Sequence, residues 1–282
     1  MAADAVLQLK KAWLNLPFFY LRTALYFGAW IALSSYFLRT SRKQDKTGDA
    51  VLSYKMGRVA AVGLVIYALT QTFFAFDWMM SLNPHWYSTL FGVYYFAGSV
   101  VLTYCVLILI GVYLFKGPMR RKINTEHYHD MGKLLFGHNA FWAFIAFSQF
   151  LLIWYTNIPE ETIFYHQRAV GCWKAVSLTL PWLHFAVPFL YLMSYHTKRN
   201  LFLLSIGAKL LLVMCFIDLY WIIQPNFHPA GPTFGVSDLG AFLAVGGFCA
   251  TFFLHNLRQA PVIPVKDPRL AECLSYDNGI PT

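Results

Sequence analysis

Five ionisable side chains stand inside apolar stretches of this sequence: Arg22, Asp77, His184, Lys209 and Asp218. A charge in hydrocarbon is costly, so each is a candidate for function, and carboxylates and imidazoles at successive depths are what a proton path requires. Asp77 lies in DWMMSLNPHWYS, just before a turn of Asn83, Pro84, His85 and Trp86. There it could relay a proton, bind a partner's backbone or pair with a neighbouring donor. His184 sits in PWLHFAVP between Pro181 and Pro188, which free backbone carbonyls and bend the segment, as segments bordering cavities are often bent. Lys209 and Asp218 share one apolar run nine residues apart. At about 100° per residue they point from opposite faces and form no intrahelical salt bridge. Asp77, His184, Lys209 and Asp218 are therefore the proton-pathway candidates, and interhelical pairing that fixes a bundle is the competing use of such groups.

A second polar set lies between apolar runs. Glu160, Glu161, His166 and Arg168 in NIPEETIFYHQR, together with His85, read as a docking surface for partner proteins. No metal site is expected from them. His138, His196 and His255 fall near the ends of three apolar runs, too close to the aqueous edge for the paired ligands of a membrane haem. Five cysteines are scattered without a CxxC or CxxCH pattern, so no iron–sulfur or covalent haem centre is expected in this chain, and buried inert thiols are.

The elements that must position these groups follow from composition. Of 282 residues, 58% are hydrophobic, 18% aromatic and only 12% charged, about half the charged share of a soluble domain. That excludes disordered, coiled-coil and secreted disulfide-rich classes and points to an all-α, polytopic membrane helix bundle. A spanning helix needs about 20 mostly apolar residues. Seven stretches qualify: 17–38, 58–82, 88–115, 139–157, 172–196, 200–223 and 235–257. They form a transmembrane domain over 17–257, between an outer N-terminal segment 1–16 and a cytoplasmic tail 258–282 with no apolar period. Basic loops are expected at 39–57 and 116–137.

The net charge of +9 reports orientation rather than nucleic-acid binding. Arg39, Arg42, Lys43, Lys46, Lys55, Arg58, Lys116, Arg120, Arg121, Lys122, Lys133, Lys198, Arg199, Arg258, Lys266 and Arg269 fall on one side, against Lys10, Lys11, Arg168 and Lys174 on the other. The positive-inside rule makes the first side cytoplasmic, which puts the N-terminus outside and the C-terminus inside. The last span, Gly235–Leu257, has no lysine for a retinal Schiff base, and no GxxxxGK[ST] motif is present. A secondary transporter or proton channel is the competing class.

Two stretches carry a resemblance: FAFDWMMSLNPHWYSTLFGVYYFAG (Phe74–Gly98) and LLFGHNAFWAFIAFSQFLLIWYTNIPEETIFYHQR (Leu134–Arg168). They resemble the second NrfD-like (polysulfide-reductase-type) membrane subunit of bacterial alternative complex III, with weaker similarity from about Pro17 to Leu257. The resemblance implies four-helix-bundle architecture in a bacterial inner membrane. It implies a subunit of a quinol:cytochrome c or terminal oxidase oxidoreductase, partnered by a paralogous NrfD-like subunit, an iron–sulfur subunit, haem c subunits and a terminal oxidase. Haem c and iron–sulfur clusters would reside in those partners, with no cofactor bound by this chain beyond contact with quinol and membrane lipid. The outer loops 81–87, 158–171 and 224–234 would hold the peripheral subunits, and Asp77, His184, Lys209 and Asp218 would line proton half-channels. The same resemblance implies further spans ahead of Met1; an odd number of them would place Met1 outside.

Overall fold

The computed structural model describes residues 4–113, 123–259 and 261–277. They are helical throughout: α1 (Ala5–Lys10), α2 (Leu16–Thr47), α3 (Val51–Trp78), α4 (Phe91–Tyr113), α5 (Thr125–Thr156), α6 (Pro159–Arg168), α7 (Trp173–Thr179), a π turn (Leu180–Ala186), α8 (Val187–Met193), α9 (Tyr195–Arg199), α10 (Leu201–Ile223), α11 (Val236–Arg258) and α12 (Leu270–Leu274). Seven helical segments are long and apolar enough to cross a membrane. The chain is a polytopic helical membrane protein.

Several expected boundaries move. The spans expected at 17–38 and 139–157 are parts of helices Leu16–Thr47 and Thr125–Thr156, and the span at 58–82 starts at Val51. Most of the basic loop at 39–57 is thus helix, broken by a short turn at Gly48 (φ 72°). A helix bonds its own backbone and need not stop where lipid does; Asn124 caps α5, its Oδ1 accepting from the His127 N–H at 3.1 Å. Of the other basic stretch, residues 116–122, with Lys116, Arg120, Arg121 and Lys122, lie outside the described residues, as do 114–115 of the third span and residues 1–3, 260 and 278–282. The polar loop at 158–171 holds α6, started by Pro159 at its first position with Glu160 and Glu161 in its first turn. The segment at 172–196 is interrupted as its prolines predict. Pro181 and Pro188 have no N–H for the carbonyls of Ser177 and His184, and the backbone between them widens into the π turn.

The chain divides into two compact units. In the larger, comprising 4–26, 68–113 and 123–232 among its described parts, α4 packs on α5 and α10, and the α7–π–α8 segment packs on α5 and α10, closing a four-helix bundle. The buried positions of α4 recur at helical spacing: Tyr94, Ala97, Val101, Cys105 and Ile108. The matching stripe on α5 is Leu135, Asn139, Trp142, Ile145, Gln149 and Ile153, and α10 supplies Leu211, Met214, Cys215, Asp218, Trp221 and Ile222. Small residues set the approach. A Cβ at Gly92 would lie 2.5 Å from Thr72 Cγ2 and 3.1 Å from Thr72 Cα, so only glycine allows α4 this close to α3.

The smaller unit covers 27–67 and 233–276. Gln44 is buried beside the α2–α3 turn, its Nε2 donating to Ser53 Oγ at 2.6 Å. Lys266 of the tail reaches the same turn, its Nζ donating to the Lys46 carbonyl at 2.9 Å. No residue of α11 is buried within the described structure.

Candidate functional site

Asp77 is fully enclosed, its side chain at 0% exposure. Its Oδ2 accepts from Arg22 Nε and from the Tyr26 hydroxyl, both at 2.7 Å. Its Oδ1 accepts from Arg22 Nη2 at 2.9 Å and from Trp13 Nε1 at 2.8 Å. The guanidinium lies 4.1 Å from the Trp13 ring and 4.2 Å from the Phe18 ring. A carboxylate with four donors and a bidentate arginine is a clamp; it ties the N-terminal segment and α2 to the end of α3. Next to it His85 Nε2 pairs with Asp4 at 3.1 Å, and Lys10 Nζ donates to the Pro84 carbonyl.

Asp218 and His184 come together in the bundle interior on either side of Trp142. Asp218 accepts from the Tyr94 hydroxyl, and from Trp142 Nε1 at 3.3 Å. The Trp142 indole stacks on the His184 imidazole with centroids 3.7 Å apart, and His184 Nε2 lies 3.8 Å from Cys215 Sγ. Gly98 lies against the pair: a Cβ there would make ordinary van der Waals contact with Trp142 at 3.6 Å and Asp218 Oδ2 at 3.9 Å. Among the described residues, His184 Nδ1 and both amide atoms of Asn139 are buried without a protein partner, the condition that ordered water satisfies.

A cavity of about 450 Å³ opens beside this line, between α4, α5, α6, α10 and the α7–π segment. Tyr94 and Trp142, the two donors to Asp218, belong to its wall, together with Gln149, Tyr165, Arg168, Lys174, Ser177 and Trp221; the rest of the lining is apolar and aromatic. Arg168 is 1% exposed. Its guanidinium donates to the carbonyls of Trp221 (3.0 Å), Phe164 (2.8 Å) and Ile222 (2.8 Å) and lies 3.6 Å from the Phe164 ring. No acidic residue lines the cavity among the described residues, and burial pushes the Arg168 guanidinium down to about 9. Burial likewise raises the Tyr165 phenol. Ser177 Oγ accepts from Trp221 Nε1 at 2.7 Å and donates to the Arg168 carbonyl at 2.6 Å, locking α6, α7 and α10 together.

Of the four proton-pathway candidates, then, two meet and two do not. Lys209 is exposed on the opposite face of α10 from buried Asp218, its Nζ 4.8 Å from the Tyr113 ring. Among the docking candidates His85, Glu160 and His166 are exposed and Glu161 is half-buried. Arg168 differs from them: α6 ends by turning it inward, where it is buried and fastens to carbonyls of α10. Tyr94, Trp142, Gln149 and Tyr165 escape sequence reasoning. Their only signal is a helical one, Asn139, Trp142 and Gln149 recurring on one stripe of an otherwise aromatic helix.

Fold and site together define a class: a multi-pass helical membrane protein with an amphiphile-sized cavity set against a buried carboxylate. No protein-family model matches the chain, and no curated protein matches it either.

Proposed function

We propose that the chain is an integral membrane subunit of a bacterial quinol:cytochrome c or terminal-oxidase oxidoreductase of the alternative complex III type. Its cavity admits quinol, and Asp218 takes up a proton released there. The observation that carries this reading is that Tyr94 and Trp142 serve both as cavity wall and as donors to Asp218. Mostly apolar walls with a few convergent polar groups suit a lipid-soluble ring. The carboxylate one hydrogen bond behind the wall suits a proton acceptor: Tyr94 passes its hydroxyl proton to Asp218 and takes another from the ligand hydroxyl. Haem c and iron–sulfur subunits supply the electron acceptors, and a paralogous NrfD-like subunit and a terminal oxidase complete the assembly. In this orientation the N-terminus and the α6 end face outward, the C-terminus lies in the cytoplasm, and exposed His85, Glu160 and His166 meet the peripheral subunits. The resemblance over Phe74–Gly98 and Leu134–Arg168 supports the choice of complex.

The test is Asp218→Asn in the assembled complex, with haem and cluster content checked first. The amide cannot accept the proton at neutral pH, so quinol oxidation and its coupled proton release fall at least tenfold, at or below the usual span for a lost general base of about 10²–10⁴. Turnover and proton release both equal to wild type would refute the role of Asp218.

A further inference from the structure

Gln149 presents an acceptor that nothing in the cavity wall uses. The residue is 4% exposed, and its Oε1 is buried without a partner. Its amide interacts with the Tyr165 hydroxyl, and the carbonyl oxygen is the end left without a partner among the described residues. Three other polar groups of the wall are committed. Arg168 is spent on three carbonyls, Ser177 both donates and accepts, and Tyr94 donates to Asp218. Of all the residues lining the cavity, Gln149 alone carries a buried side-chain atom with no partner among the described residues. A buried acceptor in that state is answered by a ligand donor, and leaving it unanswered is penalised.

The placement bears on which ligand. Gln149 and Trp142 lie seven residues apart on the same stripe of α5, two turns or about 10.5 Å along the helix. Trp142, a donor to Asp218, is thus set two turns along α5 from Gln149. A ring with a hydroxyl at each end donates to Gln149 Oε1 through one of them. Its oxidised counterpart has carbonyl oxygens at those ends, which accept only and face Gln149 Oε1 lone pair to lone pair.

Resting on the quinol reading of this cavity, we propose that Gln149 is a specificity-determining residue that selects the reduced, hydroxyl-bearing ring over the oxidised quinone. Its job is discrimination: a cavity that favours the quinol over the quinone releases its product once the ring is oxidised. Losing one hydrogen bond to a buried acceptor corresponds to about a tenfold affinity ratio, or 1.4 kcal/mol.

The experiment uses the full chain in lipid nanodiscs, with a decyl-substituted 1,4-benzoquinone as probe. Affinity for the oxidised form is read from tryptophan quenching, and the reduced-to-oxidised ratio from the midpoint of the bound probe. Wild type is expected to hold the hydroquinone about tenfold tighter, which raises the bound midpoint by about 30 mV. Gln149→Met keeps the side-chain length but removes the acceptor; it is expected to bring the midpoint shift to zero, with hydroquinone affinity lowered and quinone affinity unchanged or raised. Tyr165→Phe, which frees the amide to turn, is expected to give a partial loss. A wild-type midpoint equal to that of the free probe overturns the selectivity alone, as does equal weakening of both forms by Gln149→Met, the pattern of a residue that only shapes the wall. Failure of wild type to bind either form overturns the quinol reading itself.

Discussion

Removing the charge of Asp77 is the sharpest test of the clamp at the end of α3. In Asp77→Asn one acceptor oxygen remains, but an amide N–H₂ now confronts donors, and the buried Arg22 guanidinium loses its counter-charge. The pair is closed to solvent, with side-chain exposures of 8% and 0%. Breaking a pair of this kind by altering one partner costs about 3–5 kcal/mol. At roughly 2–4 °C per kcal/mol for chains approaching this size, melting should fall by about 10 °C. Cys105 and Cys215 are buried at 0% and 5% exposure, so a thiol-reactive fluorophore reports the loss of the bundle over the steady signal of exposed Cys172, Cys249 and Cys273. Arg22→Gln should cost a similar amount, and the double variant clearly less than the two singles summed, because it strands no charge. Coupled proton release should stay at the wild-type level in Asp77→Asn, unlike Asp218→Asn. A melting shift under about 2 °C, or strictly additive singles, would refute the clamp.

Two further outcomes follow from packing and charge. Gly92→Ala forces α4 away from Thr72, whose Cγ2 and Cα stand 2.5 and 3.1 Å from the new methyl; a loss of about 1–3 kcal/mol is expected in the same thermal assay, whereas Gly137→Ala, with open space around its Cα, should be neutral or stabilising. Arg168 holds a proton less tightly in the folded chain, where burial pushes it down to about 9, than in the unfolded chain. The unfolded state therefore binds more protons between about pH 9 and the ordinary arginine range, and stability climbs with pH through that window. Melting measured at pH steps either side of 9 should show a climb that Arg168→Met lacks.

The spans were legible because lipid permits little but long apolar helices, and the break in the fifth was legible because Pro181 and Pro188 each remove a donor from the ladder. The opposite facing of Lys209 and Asp218 was fixed by helical geometry within one segment. Boundaries such as Thr125 were not, since composition marks where lipid ends and not where backbone hydrogen bonding ends. Partnerships between helices were also out of reach: nothing in the order of residues says that Trp142 of α5 stands between Asp218 of α10 and His184 of the π turn. Arg168 shows the same limit. The residues before it, His166 and Gln167, are polar, and only the packing of α6 on α5 and α7, with the α10 carbonyls within reach, turns it inward. The signals for α6 itself, Pro159 and the two glutamates after it, were present.

Whether this chain works inside a quinol-oxidising assembly is tested by gentle detergent purification of the chain with whatever accompanies it. Identification of the co-purifying subunits, combined with an optical haem spectrum before and after adding quinol, is the readout. Haem c and iron–sulfur subunits in the preparation, and haem reduction that depends on quinol, are the expected result. A colourless chain alone, under conditions that keep other respiratory complexes intact, would contradict it and favour a stand-alone transporter or proton channel.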